Sequence, residues 1–191
     1  METAILRATV ARLAADGYSR MTIGDIAADA GVTRPTVYRR WANKRQLVME
    51  ALDFSFQQDE AEQPTDHIDA LGPVAALKEA LRLVDPRGLH GRGLKIVGNA
   101  LVEAEREPDL LELVRRHAVE PRTRVLGRTL RRLDDEGLLR PGLDLGTLAD
   151  LCLGSYYSAY LRSADTPTDL PDRVVDTLWP LIAAPGAAAD T

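Results

Sequence analysis

Residues Thr22 to Trp41, TIGDIAADAGVTRPTVYRRW, decide how the whole chain is read, because their spacing predicts two short helices joined by a tight turn. Thr22 can cap the first helix through its hydroxyl. Asp25, three positions on, completes a reciprocal capping pattern and sets a negative charge at the positive helix end. Ile26, Ala27 and Ala30 share one face. Gly31 stands where the chain must leave that helix, since a residue without a Cβ enters the left-handed region at little cost. Val32 plugs the turn and Thr33 is placed to cap the second helix. Arg34 and Pro35 fill its first two positions, where a missing proline N–H costs nothing. Val37 and Trp41, at i and i+4, face the first helix, leaving Arg34, Thr36, Tyr38, Arg39 and Arg40 to point outward.

That outward set carries the chemistry. Guanidinium groups grip phosphates, or the O6/N7 edge of guanine, in two-pronged fashion, and threonine and tyrosine hydroxyls donate to phosphate oxygens. A short helix with an apolar inner face and a basic outer face suits a major groove. The bland alternative is a capped helical hairpin with a solvated charged surface. Two capped short helices, an Ala-Gly-Val turn and a basic second helix occur together here, and that coincidence favours DNA binding.

The composition agrees once the chain is divided. Of 191 residues 45% are hydrophobic and only 5% aromatic, and leucine and alanine recur at helical spacing, which predicts an all-α protein with a real core. The formal net charge is −5, yet residues 1–50 carry eight Lys and Arg against five Asp and Glu, while the remainder carries sixteen against twenty-four. An acidic remainder repels DNA from the wrong surface, so only the N-terminal part is expected to approach phosphates. Cys152 is the sole cysteine, which excludes an intrachain disulfide and points to a reducing compartment. No apolar run is long enough to span a membrane and no signal-peptide layout opens the chain; the expectation is a cytoplasmic protein without a membrane partner.

About nine helices are predicted. Residues 2–16 form a first helix with Ile5, Leu6, Val10 and Leu13 inward and Gly17 as its stop; Tyr18 and Met21 pack beneath it. It completes a three-helix unit, since two short helices cannot bury their faces alone. Asn43 caps a fourth helix from Lys44 through Leu47, Val48, Leu52 and Phe56, followed by a polar loop, QQDEAEQPTDH. Further helices are expected over Pro73–Val84, from about Leu94 to Arg106 after the weakening glycines 88, 91 and 93, and over Pro108–Glu136, bent or split at Pro121. The last two run from Leu145 to Arg162 behind an Asp144 cap, and from Pro171 to about Ala183. The domains expected are 1–45 for DNA binding and 46–184 for ligand sensing and dimerisation, with 185–191 a mobile tail.

Over Thr22 to Leu47 the sequence TIGDIAADAGVTRPTVYRRWANKRQL resembles the TetR family of transcriptional regulators: threonine, isoleucine-alanine, alanine-glycine-valine, a capping hydroxyl, threonine, tyrosine, an aromatic, then lysine and leucine. ALVEAEREPDLLELVRRHAVEPR and EGLLRPGLD further on resemble the regulatory domain of one branch of that family. The resemblance implies that Thr33, Arg34, Pro35, Thr36 and Arg39 approach bases or nearby backbone, and that Thr22, Tyr38 and Lys44 hold phosphates. Arg40 departs from the usual His or Tyr and is a further phosphate contact to be tested; Trp41 replaces the usual Phe. The resemblance also implies a repressor released from a palindromic operator by a small, apolar ligand among the central helices, with Phe54, Val97, Asn99, Leu101, Val125 and Tyr156 as wall residues. A homodimer is expected through the last two helices at Gly154, Tyr157, Val174, Val175, Leu178 and Leu181, since a two-fold dimer doubles the contacts of one short reading helix. Tilting the shared fourth helix, with Leu52, Phe54 and Phe56 reaching the regulatory part, is the expected route of control.

Catalysis finds no candidate. His67, His90 and His117 are too far apart for a local metal motif, Glu103, Glu105 and Glu107 read as a solvated helix face, and Cys152 reads as a small core residue. No cofactor is expected. A DNA-packaging module would need basic charge over a broader surface than one end of the chain.

Overall fold

The computed structural model describes residues 1–62, 65–85, 92–163 and 167–187. Among them nine helices are found and no strand. They are α1 (Glu2–Asp16), α2 (Ile23–Asp29), α3 (Arg34–Tyr38), α4 (Lys44–Glu62), α5 (Pro73–Leu83), α6 (Gly93–Glu103), α7, α8 (Leu145–Ser163) and α9 (Leu170–Ile182). Helix α7 is continuous but changes pitch: α-helical over Pro108–Val114, π-helical over Arg115–Val119, and α-helical again over Glu120–Asp135. Pro121 brings no N–H for the usual bond back to residue 117, and the helix widens just before it instead of breaking.

Two boundaries differ from expectation. Helix α4 runs on through QQDEAE to Glu62, because Gln, Glu and Ala are good helix formers and nothing before Pro64 interrupts them. A short 3₁₀ turn, Asp66–Ala70, then buries Ile68 where only loop was expected. In α9, Pro180 sits exposed within the last turn without ending the helix. Gly88, His90 and Gly91, the side chain of Phe56 and tail residues 188–191 lie outside the described residues.

The chain forms two compact units that do not follow chain order: residues 1–62 with 86–121, and residues 63–85 with 122–191. In the first, α1 to α4 bury Leu6, Leu13, Ile26, Val37, Trp41 and Leu47, and the same core includes Ile96 and Ala100 of α6 and Leu110, Leu113 and Val114 of α7. Leu52 is fully buried there and Phe54 packs against it. In the second, Leu77, Leu81, Leu126, Leu130, Leu133 and Leu148 pack with Cys152, Tyr156 and Trp179. An antiparallel bridge, Leu139 with Ala183, pins the end of α9 to the α7–α8 connection, with Arg140 N donating to Ile182 O at 2.8 Å and Ala184 N to Leu138 O at 2.9 Å.

Candidate nucleic-acid interface

The first helix of the pair starts on a closed local circuit. Thr22 is extended, its Oγ1 accepts from Asp25 N at 3.2 Å and donates to Asp25 Oδ2 at 2.6 Å. That hydroxyl bond holds the Asp25 carboxyl below its ordinary pKa. The helix ends in a Schellman arrangement: Val32 N donates to Ala27 O at 2.9 Å and Gly31 N to Ala28 O at 3.1 Å. Gly31 has φ 66°. A Cβ there would meet nothing within 4 Å, so the demand for glycine is torsional.

Thr33 occupies the N-cap position of α3 but its hydroxyl makes no cap bond. It pairs with the Thr36 hydroxyl at 3.0 Å, and Thr36 N bonds the Thr33 carbonyl instead. Val37 and Trp41 are buried, and Trp41 Nε1 donates to Glu50 Oε2 at 2.8 Å, which fixes α3 to the start of α4. Around this anchor Thr33, Arg34, Pro35, Tyr38, Arg39 and Arg40 are exposed, Tyr38 by 53%, and Thr36 and Lys44 are half-buried. All nine residues expected to meet DNA therefore belong to one short run, Thr22 to Lys44, and most of them face solvent.

Several are positioned in ways that sequence alone left open. Arg34 folds back over α2: a Cβ on Gly24 would lie 2.6 Å from its Nε and 2.7 Å from its Cζ, so the bare glycine gives the guanidinium its resting place. Arg40 pairs with Glu2 at 2.5 Å and lies 5.8 Å from the centre of the Trp41 ring. Lys44 donates to Tyr18 O at 2.6 Å and Met21 O at 3.3 Å, with its ammonium 4.2 Å from the Tyr18 ring centre. Two of its three donors are thus engaged with backbone. Asn43 caps α4 as expected: Oδ1 accepts from Gln46 N at 2.8 Å, and Gln46 Oε1 accepts from Ala42 N at 3.1 Å. Arg12 ties α1 to α2 by a two-pronged bond to Asp29 at 2.5 and 2.8 Å and a bond to Asp16 at 3.1 Å. Those bonds raise the Arg12 pKa, and the Arg12 bond holds the Asp29 carboxyl below the usual range.

The expected ligand walls are shared between the two units. Phe54 and Val97 are half-buried against the N-terminal core, and Leu101 is 58% exposed. Asn99 Nδ2 donates to Leu13 O and Ala14 O, each at 3.1 Å. Val125 and Tyr156 belong to the other unit, where Tyr156 is fully buried with its hydroxyl donating to Leu81 O at 2.7 Å. A narrow apolar cavity in that unit is lined by Leu77, Leu81, Leu126, Cys152, Val175 and Trp179 among others.

The expected dimer residues all lie in the second unit and differ in burial. Val175 is buried in its own subunit and Leu178 lines the apolar cavity; Tyr157 and Val174 are half-buried, while Gly154 and Leu181 are exposed. Leu151 and Leu161, not anticipated, extend the exposed side of α8 at 59% and 85%. They lie at i−3 and i+7 from Gly154, one helical face. His117 Nδ1 lies 2.5 Å from Asp53 Oδ1, His67 reaches only Glu79 at 3.8 Å, and burial pushes the Cys152 thiol up to about 11. Among the described residues no group of His, Cys, Asp and Glu could hold a metal, and no helix is long and apolar enough to cross a membrane.

Comparison with known proteins places this architecture in a family. The sequence model of bacterial regulatory proteins of the tetR family matches residues 5–51, and that of the tetracyclin repressor-like C-terminal domain matches residues 74–178. An HTH-type transcriptional regulator of Mycobacterium bovis is 29% identical over 154 residues, 80% of this chain and 72% of that one. A DNA-binding transcriptional repressor TetR of Mycobacteroides abscessus is 23% identical over 187 residues, 96% and 94% of the two chains. Among solved structures, a TetR-family transcriptional regulator from Rhodococcus sp. superposes with a TM-score of 0.73 at 16% identity, covering 96% of this chain and 98% of its own. A transcriptional regulator from Saccharomonospora viridis in complex with choline gives 0.72 at 19%, covering 96% and 97%. The chain belongs to the TetR family: it is a helix-turn-helix, DNA-binding transcriptional regulator and not an enzyme.

Proposed function

We propose that the protein is a homodimeric repressor that leaves a palindromic operator when a small apolar molecule binds. The observation that carries this reading is the exposed Thr33–Arg40 face held in place by buried Val37 and Trp41. Arg34, with Thr33, Pro35, Thr36 and Arg39, meets bases or the backbone beside them. Thr22, Tyr38, Arg40 and the remaining donor of Lys44 meet phosphates. On this reading residues 1–45 touch DNA and residues 46–184 sense and dimerise. Arg34→Ala lowers operator affinity by about 1–3 kcal/mol and relaxes preference at one base pair, whereas Lys44→Ala weakens all sequences alike and lowers the salt slope by about one unit. The two variants are compared on operator and scrambled DNA; identical profiles break this division of labour.

Two copies bring two short helices to one palindrome, and the exposed leucines of α8 and α9 supply the apolar surface for pairing. Because Val175 and Leu178 serve the subunit's own core, Leu161→Glu and Leu181→Glu are the cleaner probes. Each yields a helical monomer by light scattering; a persistent dimer rejects the assignment. For the ligand, the apolar lining of the leucine-lined cavity favours an apolar metabolite over a quaternary ammonium such as the choline held by the Saccharomonospora regulator, which calls for an aromatic cage; at about 10 Å³ the cavity has to widen to admit either. A thermal-shift screen of apolar metabolites, with each hit's affinity measured with and without operator, tests induction. Linkage requires a coupling of typically about 1–3 kcal/mol seen equally from both sides. Equal affinities in both conditions leave a regulator controlled by its abundance alone.

A further inference from the structure

We infer that Glu103 and Asn99, on α6, are positioning residues of the DNA-binding face, acting through the turn that joins α1 to α2. The inference rests on the DNA-binding reading of Thr22 and Lys44. Residues Gly17 to Met21 form that turn, and each of its two sides is gripped by a distant side chain. On one side Glu103 Oε2 accepts from Ser19 N at 2.8 Å and from Ser19 Oγ at 2.7 Å, across 84 positions of sequence. On the other, Lys44 holds the carbonyls of Tyr18 and Met21. Thr22, the next residue, caps α2.

The turn is shaped to receive α6. Asn99 Nδ2 donates to the carbonyls of Leu13 and Ala14 at the end of α1, where helix carbonyls run short of donors; Leu13 O also accepts from Gly17 N at 3.2 Å. Gly17, at φ 76°, follows them. A Cβ on Gly17 would overlap Glu103 Oε1 and lie 3.4 Å from its Cδ and 3.7 Å from Asn99 Cγ. Glycine is demanded by its torsion, and its bare Cα leaves the space in which the Glu103 carboxylate rests. An ionised acceptor taking a backbone and a hydroxyl donor together makes stronger hydrogen bonds than neutral pairs. A loop fixed this way has one conformation to offer, so Lys44 and Thr22 meet a phosphate without first being ordered.

Glu103 touches no DNA on this account; it presets the groups that do. Glu103→Gln keeps the shape and an amide oxygen that can accept from both Ser19 donors, but removes the charge that strengthens those bonds. Operator affinity is expected to fall about threefold to tenfold, with protection of the Ser19 amide from hydrogen exchange reduced. Ser19→Ala, an exposed change that removes one bond, gives a smaller loss in the same direction. The decisive readout is a pair of double-mutant cycles in the full-length protein. In a Lys44→Ala background the Glu103→Gln penalty shrinks toward zero, whereas in an Arg34→Ala background it persists in full. Additivity in both backgrounds, or unchanged affinity in both single variants, overturns the inference while leaving wild-type operator binding, and so the parent reading, intact.

Discussion

Both compact units bury an apolar core, and they differ in where distant polar contacts are placed. In the N-terminal unit, polar contacts between distant residues fix directions: Arg12 on Asp29, Lys44 on two carbonyls, Asn99 on the end of α1, Trp41 on Glu50, Arg45 on Asp109 at 2.5 Å. In the other unit the leucine core dominates, with Tyr156 on Leu81 O at 2.7 Å and Arg140 on Ala183 O at 3.1 Å as its own distant ties, and ion pairs such as Lys78 with Asp176 at 2.7 Å and Arg82 with Asp172 at 2.8 Å on its surface. Hydrogen bonds specify orientation, while apolar packing tolerates exchange of volume. A surface that must match DNA needs the first property, and, on the function proposed above, a core that is to admit a small molecule needs the second.

The largest effect that can sharpen this contrast is Leu81→Ala. Leu81 is fully buried among the C-terminal leucines, so the truncation costs about 2–5 kcal/mol, whereas Leu81→Met costs under about 1.5. The two tryptophans report separately, Trp41 in one unit and Trp179 in the other. With Trp41→Phe or Trp179→Phe as background, denaturant unfolding by fluorescence shows a larger midpoint shift at Trp179 than at Trp41. Equal shifts at both would mean the units unfold as one body, and the contrast would then concern contacts without concerning cooperativity.

Next in size is Gly31→Ala. With open space around the missing Cβ, its cost is the left-handed torsion alone, about 1–2 kcal/mol, and thermal or denaturant unfolding followed at Trp41 detects it. Gly98, inside α6 with nothing near its Cβ position, is the control: Gly98→Ala stabilises by about 0.5–1 kcal/mol. If both glycines respond alike, torsion is not what Gly31 supplies.

Acid acts on both units through carboxyls held below their ordinary range, Asp25 and Asp29 in one and Asp144 and Asp172 in the other. The Asp29 carboxyl is depressed chiefly by its bond from Arg12, and the Asp25 carboxyl by its bond from Thr22. Groups whose folded pKa lies below the unfolded value add stability above the unfolded pKa, and that stability fades as pH falls through the folded one. Unfolding of wild type and Asp29→Asn, followed at Trp41 from pH 6 to pH 3, is therefore expected to converge as pH drops. Parallel curves would show that the Arg12–Asp29 tie contributes nothing measurable, as many exposed pairs do.

What could be read from the sequence was whatever local chemistry dictates. The Thr22–Asp25 circuit, the Gly31 exit, the Asn43 cap and the starts at Pro73 and Pro108 are settled within four residues of themselves, so their pattern is legible. The rest depends on partners far away in sequence. Lys44 reaches carbonyls 26 and 23 positions back. Thr33 gave up its cap bond for Thr36. Asn99, expected as a ligand wall, donates to the end of α1 from 86 positions away. Its signal in the sequence is a lone amide in the apolar run GLKIVGNALV, which needs a partner when buried. The units themselves were not foreseen, because helical periodicity says which face is buried and not against what.

The smallest effect concerns the edge of the DNA face, where Glu2 of α1 grips Arg40. In free protein such an exposed pair adds little, but beside a polyanion the carboxylate competes with phosphate for the same guanidinium and repels the backbone itself. Glu2→Gln should therefore tighten DNA binding severalfold at low salt and steepen the salt dependence by about one released ion, since Arg40 can then neutralise a further phosphate. In an Arg40→Gln background the gain should drop to the residual repulsion alone. The measurement is a salt titration of binding to operator and scrambled DNA for the four proteins of the cycle, and the gain should be the same on both DNAs because phosphates carry no sequence. If Glu2→Gln weakens binding instead, Glu2 orients Arg40 toward its phosphate, and this edge of the face joins Glu103 and Asn99 among the contacts that preset it.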